Sequence, residues 1–199
     1  MPDPTIGVLW HCASLASCDY ATLQTHGTLL HLTGVAVLPR EGVPCRIGYQ
    51  VAVTREWSPL SVSAVVTTPG QTREIHLASH GQGRWLLNDQ HAPTLDGCTD
   101  IDLGWTPATN TIPIRRLDLS VGERATISTA WIRFPELDVV PNAQTYERLD
   151  IDRWRYLSGP YDFELVTDVP SGLVLAYGQD LWRAVALTTN ESRGGNQAW

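Results

Sequence analysis

From Gly27 onward, apolar residues recur at every second position, and clusters of turn-forming residues break the chain every eight to twelve positions. Ile47, Tyr49, Val51 and Val53 fall on one side of an extended segment, while Arg46, Gln50, Thr54 and Glu56 fall on the other. The same alternation recurs in Tyr161-Asp162-Phe163-Glu164-Leu165. This pattern predicts strands over 28–38, 46–57, 60–68, 73–79, 84–88, 114–119, 125–134, 144–149, 154–158, 161–167, 173–177 and 181–187. Thr68-Pro69-Gly70, His80 to Gly83, Ser158-Gly159-Pro160 and Pro170-Ser171-Gly172 supply the turns. No long helical stripe is present, so any helix is short. The expectation is an all-β domain of mainly antiparallel pairing over 1–192, with 193–199, after the Gly194-Gly195 pair, as a flexible tail.

Composition narrows the function. A chain of 199 residues can bury a core without staples, and 43% hydrophobic against 18% charged residues excludes extensive disorder. All 14 basic residues are arginine and the net charge is −7, which argues against a partner tracked through its phosphates and so against nucleic acid. Cys12, Cys18, Cys45 and Cys98 form no CxxC pair and read as free thiols in a reducing cytoplasm. No apolar run reaches the ~20 residues of a membrane span. Leu15-Ala16-Ser17-Cys18 spells the short pattern preceding a lipid-modified cysteine, yet the segment before it has no Lys or Arg and contains His11, so it reads as a chance match.

Signatures of chemistry are sparse. GxSxG, GxxxxGK[ST], GxGxxG after a strand and HExxH are all missing from the sequence. His76 and His80 have the spacing of a helical metal pair, but on an alternating segment they stand ~13 Å apart, and no metal or cofactor is expected. Asp100 and Asp102 share one side of an extended segment at ~7 Å, compatible with a pair of carboxylates in acid/base chemistry. The other reading is structural: carboxylates held by the guanidinium forks of Arg84, Arg115 or Arg116. Eight Trp and six Tyr against two Phe favour amphipathic aromatic surface, and Trp85, Trp131, Trp154, Tyr146 and Tyr156 lie close to arginines in sequence.

The series 96-DGCTDIDLG-104, 109-TNTIPIRRL-117, 130-AWIRFPEL-137 and 144-QTYER-148, with Gly83 to Leu86, Arg155-Tyr156 and Gly172 to Val174, resembles the bacterial putative glycolipid-binding family, formerly a domain of unknown function. The resemblance runs from about Trp10 to Arg183 and brings Trp10 and Tyr20 to Leu23 into the folded domain. It implies a curved antiparallel sheet rolled into a spiral or half-barrel, and a carrier or sensor of an amphiphile. Where the family tends to show Tyr-Pro after the Gly-Leu-Val strand, this chain has Tyr177-Gly178.

The candidate ligand residues are Arg84, Trp85, Trp131, Tyr146, Arg155 and Tyr156 at an aromatic and arginine-lined mouth. Asp100, Asp102, Arg115 and Arg116 form a structural or ligand-positioning network beside it. Two other readings stand: a sugar- or lipid-acting enzyme using Asp100 and Asp102, and a ligand-free interaction domain whose roll is filled by its own side chains.

Overall fold

A computed structural model describes residues 5–81, 83–179 and 181–190; the expected tail at 193–199 lies outside them. The strands are β1 (Thr5–Cys12), β2 (Ser17–His26), β3 (Leu29–Arg40), β4 (Val43–Thr54), β5 (Pro59–Thr68), β6 (Gln71–Ser79), β7 (Trp85–Leu87) and β8 (Gln90–His91). After them come β9 (Asp100–Leu103), helix α1 (Thr111–Leu117), β10 (Arg124–Ile132), β11 (Val139–Arg148), β12 (Arg153–Ser158), β13 (Tyr161–Thr167), β14 (Val174–Tyr177) and β15 (Trp182–Asn190). All fifteen strands form one curved sheet with β8 at one edge and β9 at the other. β1 to β8 run outward from the middle as an antiparallel meander, β10 to β15 return to the middle, and β15 pairs with β1 to join the halves. Among the described residues, only β9 and β10 pair in parallel, with α1 in the crossover between them.

The alternation read from the sequence sets which side faces in. In β4, Ile47, Tyr49, Val51 and Val53 are all buried while Arg46 and Gln50 are exposed. Two strands that precede Gly27 are part of the same sheet, and Trp10 of β1 is fully buried, its indole N–H bonded to the Val174 carbonyl of β14 at 2.6 Å. The edges are drawn toward one another by the segment after β8, where Trp85 Nε1 donates to the Cys98 carbonyl at 2.9 Å and Gly97 N to the Gly83 carbonyl at 2.8 Å. All four cysteines are free thiols.

One expected strand is wrong. The stretch 114–119 lies in and just after α1 rather than in a strand. Thr111, Ile112, Pro113 and Ile114 are buried, and a buried segment that joins no strand must satisfy its own backbone, as a helical turn does. Pro113 is tolerated because it stands in the first turn, whose N–H groups have no intrahelical partner. Ile112 packs into the larger core, drawn mainly from β1–β10 with Leu173 and Trp182, while Ile114 packs with Tyr146, Trp154 and Leu165 in a smaller one of β10–β14. The helix therefore divides the interior into two regions.

Candidate functional site

A half-open cavity of about 440 Å³ lies between β10–β15 and the segment that follows β9, lined by Asp102 and Gly104 of the β9 end, Thr106 and Asn110 of the following loop, Trp131, Asn142, Tyr156 and Ser158, and Phe163, Tyr177 and Trp182. Leu15, Pro160, Tyr161 and Leu181 complete its wall, and Leu15 and Tyr161 are also exposed to solvent at 51% and 55%. The mouth is thus built from three hairpin turns.

Register explains the lining. Tyr146 of β11 stands opposite Tyr156 of β12, which stands opposite Phe163 of β13, all on the inner face. Tyr177 of β14 joins this row, so the ring centroids follow in series: Tyr146 to Tyr156 at 5.2 Å, Tyr156 to Tyr177 at 5.7 Å, Tyr177 to Phe163 at 5.2 Å and Phe163 to Tyr161 at 5.6 Å. Each spacing suits favourable aromatic contact. The row leads from the fully buried Tyr146 to the exposed Tyr161. Gly104 is required at the β9 end: a Cβ there would lie 2.9 Å from Trp131 Nε1.

Asp102 lines the cavity and is partly exposed to it. A directed relay holds it. Asn110 Nδ2 donates to Tyr146 Oη at 2.8 Å, Tyr146 Oη donates to Gln144 Oε1 at 3.2 Å, and Gln144 Nε2 donates to Asp102 Oδ2 at 2.7 Å. Because Gln144 must accept from the tyrosine at one end, its amide is fixed with the N–H side toward the carboxylate. Burial pushes the Asp102 carboxyl up to about 6, against the smaller opposing effect of the Gln144 hydrogen bond. Burial, followed by the charge of neighbouring groups including Asp102, also pushes the Tyr146, Tyr156 and Tyr177 hydroxyls upward, so all three stay neutral donors.

The ten candidate residues separate into distinct environments. Asp102, Trp131 and Tyr156 line the cavity, and Tyr146 lies one layer behind through Gln144. Asp100 is fully buried and committed elsewhere: Arg116 Nε donates to its Oδ1 at 3.0 Å, Arg116 Nη2 bonds Oδ2, and Thr99 Oγ1 donates to Oδ2 at 2.8 Å. Asp100 therefore pins β9 to α1, and the cavity holds one of the two carboxylates. Arg115 lies with its guanidinium 5.6 Å from the Trp57 ring and its stem beside Gly172, where a Cβ would come within 2.5 Å of Arg115 Cδ. Trp85 is a core residue, and Arg84 is exposed.

Arg155 points to the other face of β12 from Tyr156, as the strand period demands, and pairs with Asp162 at 2.6 Å. That outer face carries a broader concavity of about 930 Å³ lined by Arg153, Arg155, Asp162, Glu164 and Arg183. Arg153 and Arg155 already meet Glu164 and Asp162 there, leaving a solvated ion-pair surface of small energetic weight. Among the described residues, no arginine lines the inner cavity. Its mouth is aromatic, with a carboxylate inside.

Gln144, Asn110, Phe163, Tyr177 and Trp182 were not singled out from the sequence as site residues. Gln144 carried the clearest available signal, a polar residue on the inward register of an alternating strand beside Tyr146.

The described residues form a curved sheet of fifteen strands with one short α-helix, the architecture of an all-β protein, and a cavity lined by aromatic rings and one carboxylate. The family described as Putative glycolipid-binding matches residues 7–183, and the chain belongs to that family. The crystal structure of a DUF1089 family protein from Pseudomonas aeruginosa is similar to this chain over 82% of its length and 90% of that protein's, with 30% identity and a TM-score of 0.74. A comparison with curated proteins finds no match. Among the described residues, no helix is long and apolar enough to cross a membrane.

Proposed function

We propose that the chain binds an amphiphile of the glycolipid class in the inner cavity, as a carrier or sensor that leaves its ligand chemically unchanged. The observation that carries this reading is the cavity's make-up: an aromatic and apolar wall with a few polar groups among it, Asp102, Asn110, Asn142 and Ser158. Flat rings suit the face of a sugar, and the polar groups suit its hydroxyls. Leu15, Pro160, Tyr161 and Leu181 at the mouth offer apolar surface to the first methylenes of a tail, each worth ~0.8 kcal/mol when buried.

An enzymatic reading draws on one specific feature, the raised Asp102 carboxyl in a cleft. It would have to work with Asp102 alone, because Asp100 is held by Arg116 and Thr99.

Trp131 and Trp182 line the cavity, so indole fluorescence reports directly on occupancy. Titration with alkyl glycosides below their micellar concentrations is expected to give saturable, displaceable binding that Trp131→Ala weakens about tenfold without loss of fold, the share of one aromatic wall. Absence of binding across glycosides, fatty acids and other single-chain amphiphiles would leave the interaction-domain reading. Turnover of a glycoside or ester that disappears in Asp102→Asn would establish the enzyme instead.

A further inference from the structure

We infer that the cavity selects a headgroup bearing a positively charged nitrogen, an amino sugar or another organic ammonium, with Asp102 as its counter-ion and the aromatic wall as its cage. This inference rests on the cavity being an amphiphile site and adds the sign of the headgroup charge.

Three observations converge on it. Asp102 spends one carboxylate oxygen on Gln144, and its other oxygen has no hydrogen-bond partner among the described residues while the side chain opens into the cavity. Among the described residues, no cationic side chain lines the cavity to neutralise that carboxylate. Arg116, on the adjoining helix, is committed to Asp100, and Arg133, whose guanidinium lies 5.8 Å from the Trp131 ring, is bonded to Asp138. Finally, Trp131, Tyr156, Phe163, Tyr177 and Trp182 surround the same space. Ring faces are negative, and a cation held over them in a desolvated site is attracted without needing a fixed hydrogen-bond direction. An anionic headgroup would meet both the carboxylate and the ring faces as repulsion, and a neutral sugar would leave Asp102 without a counter-charge. An ammonium satisfies carboxylate and rings together.

The hydrogen-bond relay fits this role. Asn110, Tyr146 and Gln144 form a chain of donors ending on Asp102, which favours the ionised carboxylate that a cation needs. Burial works in the other direction, so the charge on Asp102 is only partly secured. Cation binding and proton loss from Asp102 should then reinforce one another.

The test uses four ligands with one tail: decyl glucoside, decyl glucosaminide, decyltrimethylammonium and decyl sulfate, below micellar concentrations, by titration calorimetry at pH 7 and pH 5. Glucosaminide and glucoside differ by one ammonium group. At pH 7 the glucosaminide, decyltrimethylammonium or both are expected to bind at one site about tenfold tighter than the glucoside, the scale of a desolvated cation–ring contact, and the sulfate weakest. Whichever ammonium ligand gains tells an amino sugar from a quaternary headgroup.

Asp102→Asn should abolish the preference, leaving the ammonium ligands no tighter than the glucoside. Because a body of net charge −7 attracts cations diffusely, this variant, which removes one charge at one place, is the deciding measurement. The preference should also shrink at pH 5. The groups facing Asp102 from β11, β12 and β14 are Gln144, Tyr146, Tyr156 and Tyr177, and none titrates between pH 5 and 7. Asp19, bonded to the cavity-wall residue Thr106, does titrate there, and an Asp19→Asn control that keeps the pH effect assigns it to Asp102. Equal affinity for glucoside and both ammonium ligands, tightest binding of the sulfate, or an ammonium preference unchanged in Asp102→Asn would overturn the inference while leaving amphiphile binding intact. Binding of none of the four would overturn the amphiphile reading itself.

Discussion

Asp19 and Asp102 face the interior of the same sheet, both with carboxyls pushed up to about 6 chiefly by burial, and they differ in what closes over them. Asp19 of β2 lies in the β1–β8 region with no exposed surface. Tyr49 of β4 reaches it across β3 and donates its hydroxyl to Oδ2 at 2.7 Å; Thr106 bonds the same oxygen. That reach depends on Gly34, where a Cβ would lie 2.3 Å from the Tyr49 ring. Trp105 then stacks edge-on to Tyr49, and Asp19 Oδ1 is left with no hydrogen-bond partner among the described residues. Around Asp102, in contrast, Tyr156 and Tyr177 of β12 and β14 stand along the wall with Tyr146 of β11 behind it, so the carboxylate is held from behind by Gln144 and open in front. A buried acid becomes a core liability or a site according to whether a neighbouring side chain can cross over it.

The comparison breaks if the two regions are separate folding units. Trp10 decides this, since it belongs to β1 of the closed region and bonds Val174 of the open one. Trp10→Ala should cost about 3–5 kcal/mol as a large cavity in a fully buried position. Hydrogen exchange should show protection falling in β2–β6 and in β11–β14 together. Loss confined to one side would mean that the halves fold independently.

Next in size is the pH dependence of stability. A carboxyl raised in the folded state contributes stability that is fully present below its unfolded value of 3.8 and is lost as pH rises through about 6. For Asp19, which is fully buried, the span corresponds to about 3 kcal/mol. Denaturant unfolding should therefore show stability falling between pH 4 and pH 6.5, with a much flatter profile in Asp19→Asn. Asp102→Asn should flatten it less, because its cavity-facing side is screened by solvent. Equal flattening by both variants would erase the distinction between closed and open acids.

The strands were legible because a half-buried strand writes its two faces into every second residue, as β4 and β13 do. Asp19 was hidden by the same rule: Ser17, Asp19, Ala21 and Leu23 alternate inward, but a serine and an aspartate among the inward positions weaken the apolar signal of β2. The segment 114–119 misled because Leu117 and Leu119 look like alternate strand residues, while the burial of Thr111 to Ile114 that accompanies the helix is a tertiary fact. Asp102 and Tyr156 were visible as chemistry-bearing residues. The separation of Asp102 from Asp100 was not, because two carboxylates on one strand face were told apart by Arg116 arriving from the helix and Gln144 from β11.

The smallest effect concerns two glycines at positive φ, one in each region. Gly42, in the β3–β4 turn at φ 81, would place a Cβ with nothing within 4 Å. Gly178, between β14 and β15 at φ 63, would place one 3.3 Å from Leu181 Cδ1 and 3.4 Å from Phe163 Cδ1, both residues of the cavity. Proline, fixed near −65°, cannot adopt this conformation, so the turn that carries Tyr177 into the cavity is built differently from the Tyr-Pro form. Alanine at either site should cost about 1–2 kcal/mol from the left-handed backbone alone, a similar fall in melting temperature for the two variants. Only Gly178→Ala presses on the mouth, so only it should change alkyl glycoside affinity, by about two- to fivefold, since the neighbours must yield by a few tenths of an ångström. Equal loss of affinity in Gly42→Ala would show that binding follows overall stability, and that the open region has no site chemistry of its own.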